Sequence, residues 1–283
     1  MVTNGDVDHV TGLLTVRESH PLAVYGTSRV QSVLADNSIF NVLNPEYVER
    51  RILKMGQPTE LKTKDGKSAG IIIEPFTVPG KIALWLEDES AGENFGSQPE
   101  DTIGLKISAK DGDEHFFYIP GCASFPPELA ERLTDAPLVF FDGTLWQDDE
   151  MKTSHVGVKT GNRMGHMSNS GPEGTVAAFA PLNVKRKVFI HINNTNPILI
   201  DNTPERAEVE AADWEVSYDG MVDPMNDSSY DHSVTNIIYD TLGSKQTVNT
   251  FFQKVTDGEW EVYSQRVDSL GNTYPTDPTK SLK

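Results

Sequence analysis

Cysteine is almost missing from this chain: Cys122 is the single one among 283 residues. A disulfide framework is therefore excluded, and so is a zinc site built from several thiolates of this chain. Long apolar runs are missing too. None approaches the roughly 18–20 residues that span a bilayer, so no membrane insertion is expected. The opening Met-Val-Thr-Asn-Gly-Asp has neither a basic region nor an apolar stretch. No signal peptide is expected from it, and a cytoplasmic location follows by default. Positive charge is scarce, with 24 Lys+Arg against 42 Asp+Glu and a formal net charge of −18. Nucleic acid and anionic membrane surfaces both need a basic footprint, so neither is an expected partner. What remains is 37% hydrophobic and 23% charged, an ordinary balance for a chain that buries a core. The length allows one large domain or two smaller ones.

The stretch T-N-G-D-V-D-H-V-T-G-L-L, residues 3–14, places Asp6, Asp8 and His9 in a short polar loop that runs into an apolar segment. Carboxylates at i and i+2 with an imidazole at i+3 suit a turn that aims its side chains at one point. Divalent Fe, Mn and Zn accept mixed nitrogen and oxygen ligands of this kind. The simpler use of the same residues is an acidic cap on a helix beginning near Val10.

From there the chain reads as helix, strand and helix over residues 10–35, with Ser28 as a cap. Asn37–Leu53 reads as loop and helix, entered at Asn44-Pro45. Residues 54–118 are β-rich. G-I-I-I-E-P-F-T-V, I-A-L-W-L, I-G-L-K-I-S and H-F-F-Y-I-P are strand-like runs, and Asp111-Gly112-Asp113 marks a hairpin. A helix follows over Pro127–Leu133. A-P-L-V-F-F-D-G-T-L-W is then a buried strand that stops at Asp142-Gly143. An acidic residue at the carboxyl edge of a buried strand is a common site position in α/β folds, and equally a turn cap. Residues 147–170 form a long polar loop containing His166. Thr175–Leu182 is a short helix. The strand at Val188–Ile190 ends at His191, before a turn in which Asn193, Asn194 and Asn196 can bond the backbone. Thr203-Pro204-Glu205 opens a helix, and D-W-E-V is a last strand of this part. Beyond a boundary near residue 222, alternating segments read as an antiparallel meander with a turn at Leu242-Gly243-Ser244, and then a tail without a core-forming pattern.

D-V-D-H-V-T-G-L-L-T-V-R-E, F-N-V-L, F-F-D-G-T-L-W-Q-D-D-E-M, G-N-R-M-G-H-M, R-K-V-F-I-H-I-N-N-T-N-P-I-L and P-E-R-A together resemble the coenzyme PQQ biosynthesis protein B family of the metallo-β-lactamase superfamily. The resemblance covers residues 1 to about 222. It implies an α/β fold, a partial αββα sandwich followed by a C-terminal antiparallel β fragment. The superfamily's first metal motif, His-x-His-x-Asp-His, falls on Asn4, Asp6, Asp8 and His9. Asp142 matches the bridging carboxylate, His191 the late strand-end histidine and His166 the Gly-His of the preceding loop. The implied metal set is Asp8, His9, Asp142 and His191, with His166 and Asp6 in catalytic roles and Asn4, Asn193 and Asn194 as supporting residues. The two missing histidines imply one metal and not two, with Fe(II) expected first and Zn(II) second. The implied activity is iron-dependent hydroxylation of the tyrosine-derived part of the peptide precursor of pyrroloquinoline quinone. An older idea for the family is carriage of the product or its precursor towards the periplasm.

Two departures from the family qualify this. The family has a further segment before the metal loop, with the first strands of the sandwich, an Arg-Thr-Gln-type motif and a cysteine cluster for a structural zinc. A sandwich lacking them is expected to leave an open edge and bare apolar faces. From about residue 223 the chain resembles instead a fragment of the outer β-domain of flagellar hook protein. That favours an alternative: a non-enzymatic chimera whose β fragment mediates assembly through Tyr239–Thr250 and Trp260–Arg266. A homodimer is compatible with either reading.

Overall fold

The computed structural model describes residues 1–16, 19–88, 90, 96–217, 232–239, 245–256, 259–268 and 273–274. Contacts divide the chain into Met1–Val216 and Ser217–Lys283. The boundary expected near residue 222 and the turn expected at Leu242-Gly243-Ser244 lie outside the described residues.

The first unit opens with a single helical turn, α1 (Val7–Val10), followed by a 3₁₀ turn over Thr11–Thr15. Then come β1 (Leu22–Gly26), α2 (Ser28–Asp36) and β2 (Val48–Ile52). The residue that caps α2 is Thr27 and not Ser28: its side chain accepts from the Val30 amide. Asn44-Pro45 does not open a helix. Asn44 turns the chain by accepting the Glu46 amide at 2.9 Å, and β2 then pairs in parallel with β1. Pairing with the hydrophobic β1 outweighs the helical propensity of Glu-Arg-Arg. Helix α2 is the crossover that two parallel strands require. Val10, Val24, Val30, Leu34, Phe40 and Val48 make a small core beneath this layer.

The main sheet has seven strands: β3 (Thr59–Lys62), β4 (Ser68–Thr77), β5 (Ile103–Ala109), β6 (His115–Ile119), β7 (Val139–Asp142), β8 (Lys187–Ile190) and β9 (Trp214–Val216), in that spatial order. Pairing is antiparallel from β3 to β6 and parallel from β6 to β9. The expected hairpin at residues 111–113 joins β5 to β6. The run I-A-L-W-L is no strand: it forms a 3₁₀ turn at Leu84–Leu86. The connections in the parallel half hold α3 (Pro127–Leu133), α4 (Glu150–Thr153), α5 (Gly161–Met164), α6 (Thr175–Phe179) and α7 (Pro204–Ala211). Helix α3 has the bounds read from the sequence, and α7 starts where Thr203-Pro204 placed it, with Thr203 accepting from the Arg206 amide. The polar loop 147–170 is less irregular than expected, since α4 and α5 both lie in it.

One large core joins this sheet to its helices. Phe141, Phe179 and Phe189 are fully buried, and Trp214 stacks on Phe189 at 4.0 Å between ring centroids. Tyr25, Leu53 and Ile73 form a third cluster that links the β1–β2 layer to the main sheet. This is a metallo-β-lactamase-like mixed sheet with helices. In the described residues its second sheet amounts to β1 and β2 alone. Ile39, Val42 and Ile52 of that layer remain exposed.

The second unit is described by itself as a four-stranded antiparallel sheet: β10 (His232–Tyr239), β11 (Lys245–Thr256), β12 (Glu259–Val267) and the short β13 (Thr273–Tyr274). Most of the expected structureless tail lies outside the described residues. Thr273 and Tyr274 pair with β12.

Candidate metal centre

Strand β7 ends on Asp142 and strand β8 on Ile190, so their parallel register places residues 142–144 beside 190–192. Gly143 permits the close approach. A Cβ there would lie 2.9 Å from Phe189 and 3.1 Å from the Ile190 carbonyl. Thr144 consequently comes against His191. His191 has φ of 54°, a left-handed conformation that non-glycine residues seldom adopt. His166 arrives from the other side: Thr160 caps α5, and Gly165, at φ 89°, terminates it. The His166 amide bonds the Gly161 carbonyl at 2.9 Å.

Asp142 is fully buried and each of its oxygens is in use. Oδ2 accepts the Cys122 amide at 2.9 Å and His166 Nδ1 at 2.6 Å. Oδ1 accepts the Thr144 amide at 3.1 Å and the Thr144 hydroxyl at 2.6 Å. Having given its proton to Asp142, Thr144 Oγ1 is an acceptor for His191 Nδ1 at 2.8 Å. Both histidines thus turn Nδ1 towards Asp142 and Thr144, and the Nε2 of each stands outside these bonds. Burial works to raise the Asp142 carboxyl, yet the His166 charge and the hydrogen bonds keep it below its ordinary value. Burial works to lower His166, and Asp142 outweighs it, so His166 is raised. Burial, reinforced by Asp142, pushes the Cys122 thiol up, which leaves it an unreactive member of the core.

On the far side of His191 stand Asp8 and His9 from α1. His9 Nε2 lies 3.1 Å from His191 Nε2, and Asp8 Oδ2 lies 3.2 Å from His191 Nε2 and 3.7 Å from His9 Nε2. Ligand atoms bound about 2.0–2.1 Å from a tetrahedral ion are about 3.3 Å apart. The three atoms have about the spacing that one face of a coordination tetrahedron needs, and their mixed nitrogen and oxygen chemistry fits a divalent ion. The hydrogen bond to His191 holds the Asp8 carboxyl down at about 2. Burial, and then the neighbouring His191, lower His9 and keep it neutral, the form that binds a metal. Asp6 does not cap α1 with its side chain. Its Oδ1 instead accepts the Leu84 amide at 3.0 Å.

Asp142 with His166 and His191 is a second group close enough to hold an ion. Its atoms are already engaged with one another through Thr144, so it differs chemically from the Asp8 group. A pocket of about 180 Å³ opens on both, lined by Asn4, Asp6, Asp8, His9, His166 and His191, and also by Lys81 and Lys159. Asn4 Oδ1 accepts the Asp6 amide at 3.0 Å. Asn193 and Asn194 serve the turn and do not reach the histidines: Asn193 bonds Thr195 and Met151, and the Asn194 amide bonds Asn193. Sequence reasoning missed Thr144, Lys81 and Lys159. Thr144 lay in the quoted Asp-Gly-Thr, and its place two residues after a strand-end carboxylate was the available signal. For Lys81 there was none.

Residues 1–192 match the family model of the Beta-lactamase superfamily domain. Residues 202–283 match that of the Flagellar basal body protein FlaE D2 domain. Coenzyme PQQ synthesis protein B of Xanthomonas oryzae pv. oryzae (strain MAFF 311018) is 49% identical over 221 residues, covering 78% of this chain and 71% of that protein. The protein of the same description from Gluconacetobacter diazotrophicus is 50% identical over 224 residues, with 78% and 71% covered. Among solved structures, the 1.98-angstrom crystal structure of Zn(2+)-bound PqqB from Methylobacterium extorquens matches with a TM-score of 0.71 at 43% identity, covering 77% of this chain and 70% of that one. Unliganded yeast PDE1, with a TM-score of 0.51 and 12% identity over 76% of this chain and 64% of that one, shares the fold alone.

Proposed function

The chain belongs to the coenzyme PQQ synthesis protein B family, and from that premise we propose that it is a metal-dependent hydroxylase acting on the tyrosine-derived part of the peptide precursor of pyrroloquinoline quinone. The single observation behind the metal is the triangle of Asp8 Oδ2, His9 Nε2 and His191 Nε2. A divalent ion bound there supplies a Lewis acid and, as Fe(II), a redox-active centre. The triangle suits Fe(II) and Zn(II) alike, because ligand type alone does not separate them; the Methylobacterium extorquens relative is a Zn(2+)-bound structure.

The remaining chemistry belongs to the side chains. Asp142, through Thr144, fixes the tautomer and ring orientation of His191 and presents its Nε2 to the metal. His166, held by Asp142 through Nδ1, has its other nitrogen for proton transfer at the pocket. Asp6 lines the same pocket beside Asp8. Asp142, buried and with both oxygens engaged by protein donors, stays an orienting group.

Metal analysis tests this directly. Purified protein is expected to retain about one equivalent of Fe or Zn, and His9→Ala and His191→Ala to lose it. Unchanged metal content in both variants sinks the proposal. Loaded with Fe(II) and supplied with O2 and a two-electron reductant such as ascorbate, the protein is expected to add one oxygen atom to a tyrosine-containing peptide, the other leaving as water, read by mass spectrometry.

The FlaE D2 match and the antiparallel β10–β13 sheet support a second reading for residues 202–283, as an assembly element. It predicts self-association, and a monodisperse monomer in light scattering counts against it.

A further inference from the structure

The pocket that opens on the metal triangle carries two lysines as well as Asp6 and Asp8, in a chain that has nearly twice as many acidic as basic side chains. Lys81 and Lys159 both line it. Arg163, four residues on from Lys159 and inside α5, and Lys81 both pair with the carboxylate of Glu87, whose charge Lys159 also feels. Arg163 holds Glu87 with two parallel hydrogen bonds, Nη1 to Oε1 at 2.8 Å and Nη2 to Oε2 at 2.7 Å. Lys81 Nζ is further off, 3.4 Å from Oε1. Glu87 is nearly enclosed, at 8% side-chain exposure, and Arg163 draws its carboxyl down to about 2. Since the bidentate partner is Arg163, Glu87 neutralises the lysines only in part.

The lysine at position 81 is also held in place. A Cβ on Gly165 would lie 3.0 Å from Lys81 Cγ, so the aliphatic stem of Lys81 rests on the residue just before His166. Its side chain is only 15% exposed. A lysine gripped along its stem loses little freedom when it binds a ligand, whereas an ordinary surface lysine gives up most of its rotamers.

We propose that Lys81 and Lys159 form a carboxylate-recognising wall, which selects small molecules that present an anionic carboxylate to the lysines while their other end lies against Asp8, His9 and His191. This rests on the proposed function and names the substrate chemistry of that same site. Asp6 and Asp8 line the same pocket, so the favourable place for a ligand carboxylate is beside the two lysines and away from those acids. Glu87 is a positioning residue in this arrangement, not a contact to the ligand.

The test uses a matched pair of probes, N-acetyl-L-tyrosine and N-acetyl-L-tyrosinamide, which differ in one carboxylate. Binding to the Zn-loaded full chain is measured by calorimetry. The acid is expected to bind more than tenfold tighter than the amide. Lys81→Gln and Lys159→Gln are each expected to lose most of that preference, and Lys81→Arg to retain it. Lys159 is half-buried on a loop, so its variant remains informative if Lys81→Gln destabilises the fold. Equal binding of the two probes, no binding of the acid at millimolar concentration, or a preference that survives in the double variant overturns the proposal. Metal retention is measured on the same samples. Full metal content without a carboxylate preference overturns the wall alone, and absent metal overturns the reading on which it rests.

Discussion

Asp8 and Asp142 approach the same histidine from opposite sides, and their surroundings have nothing else in common. Asp142 has 0% side-chain exposure and is saturated by two backbone amides, a hydroxyl and an imidazole. Asp8 has 66% exposure, and the contacts made by its carboxylate oxygens are with His191 and His9. A carboxylate whose lone pairs are all committed can orient a neighbour but has little left for an ion. One with lone pairs to spare can bind an ion and adds little to folding. The site thus separates holding from binding, and His191 belongs to both halves, with Nδ1 on the Asp142 side and Nε2 on the Asp8 side.

Replacing the shared residue should erase the distinction. His191→Ala is expected to reduce metal content from about one equivalent to under about a tenth, measured by plasma mass spectrometry, and to leave Thr144 without one of its partners. The next largest effect separates the two carboxylates. Asp142→Ala strands the His166 imidazole and two amides in the interior, and breaking a buried pair of this kind costs about 3–5 kcal/mol. Asp8→Ala should cost under about 1 kcal/mol in the metal-free protein, as exposed ion pairs do, while abolishing metal retention. Urea unfolding with and without chelator compares the two, and equal destabilisation would end the separation argued above.

Thr144→Val tests the link between the halves. Losing a partner that orients a metal-bound histidine weakens affinity by about 10–100-fold. Thr144→Ser should restore it, because the serine hydroxyl can make the same bonds. Competition with a fluorescent chelator gives both numbers. The smallest effect is in acid. The folded Asp8 carboxyl is depressed from 3.8 to about 2, so its contribution to stability is complete above pH 3.8 and is lost as pH falls through about 2. Exposure screens it. Asp8→Asn should therefore flatten the thermal melting profile of the metal-free protein across that window by no more than about 2 °C.

The sequence exposed the parallel half of the fold because its strands are short runs of Val, Ile and Phe between clear helix starts, such as Pro127 and Thr203-Pro204. It hid β2, whose Glu-Arg-Arg pattern has no alternation and becomes a strand only through β1. It also hid the turn at Leu84–Leu86, which is as apolar as a strand but hangs from Asp6 and Gly5. Asp8, His9, Asp142, His166 and His191 were all singled out in the sequence, and the structure brings them together within one network. Strand ends and loops with unexplained imidazoles and carboxylates are visible in one dimension. Thr144, Lys81 and Glu87 were not visible that way. Their importance depends on which side chain stands opposite, and only the folded chain supplies that.

The left-handed backbone at His191 has a consequence for anyone who varies this protein. A saturation library at that position is filtered twice, first by the peptide geometry and then by the ion. Glycine, asparagine and aspartate tolerate the conformation and should dominate the folded survivors, while valine and isoleucine should be lost from the soluble pool. Survivors of the first filter need not pass the second. Abundance in the library then reports the shape of the main chain, and metal content reports the chemistry, so one amino-acid position can be read as two separate phenotypes.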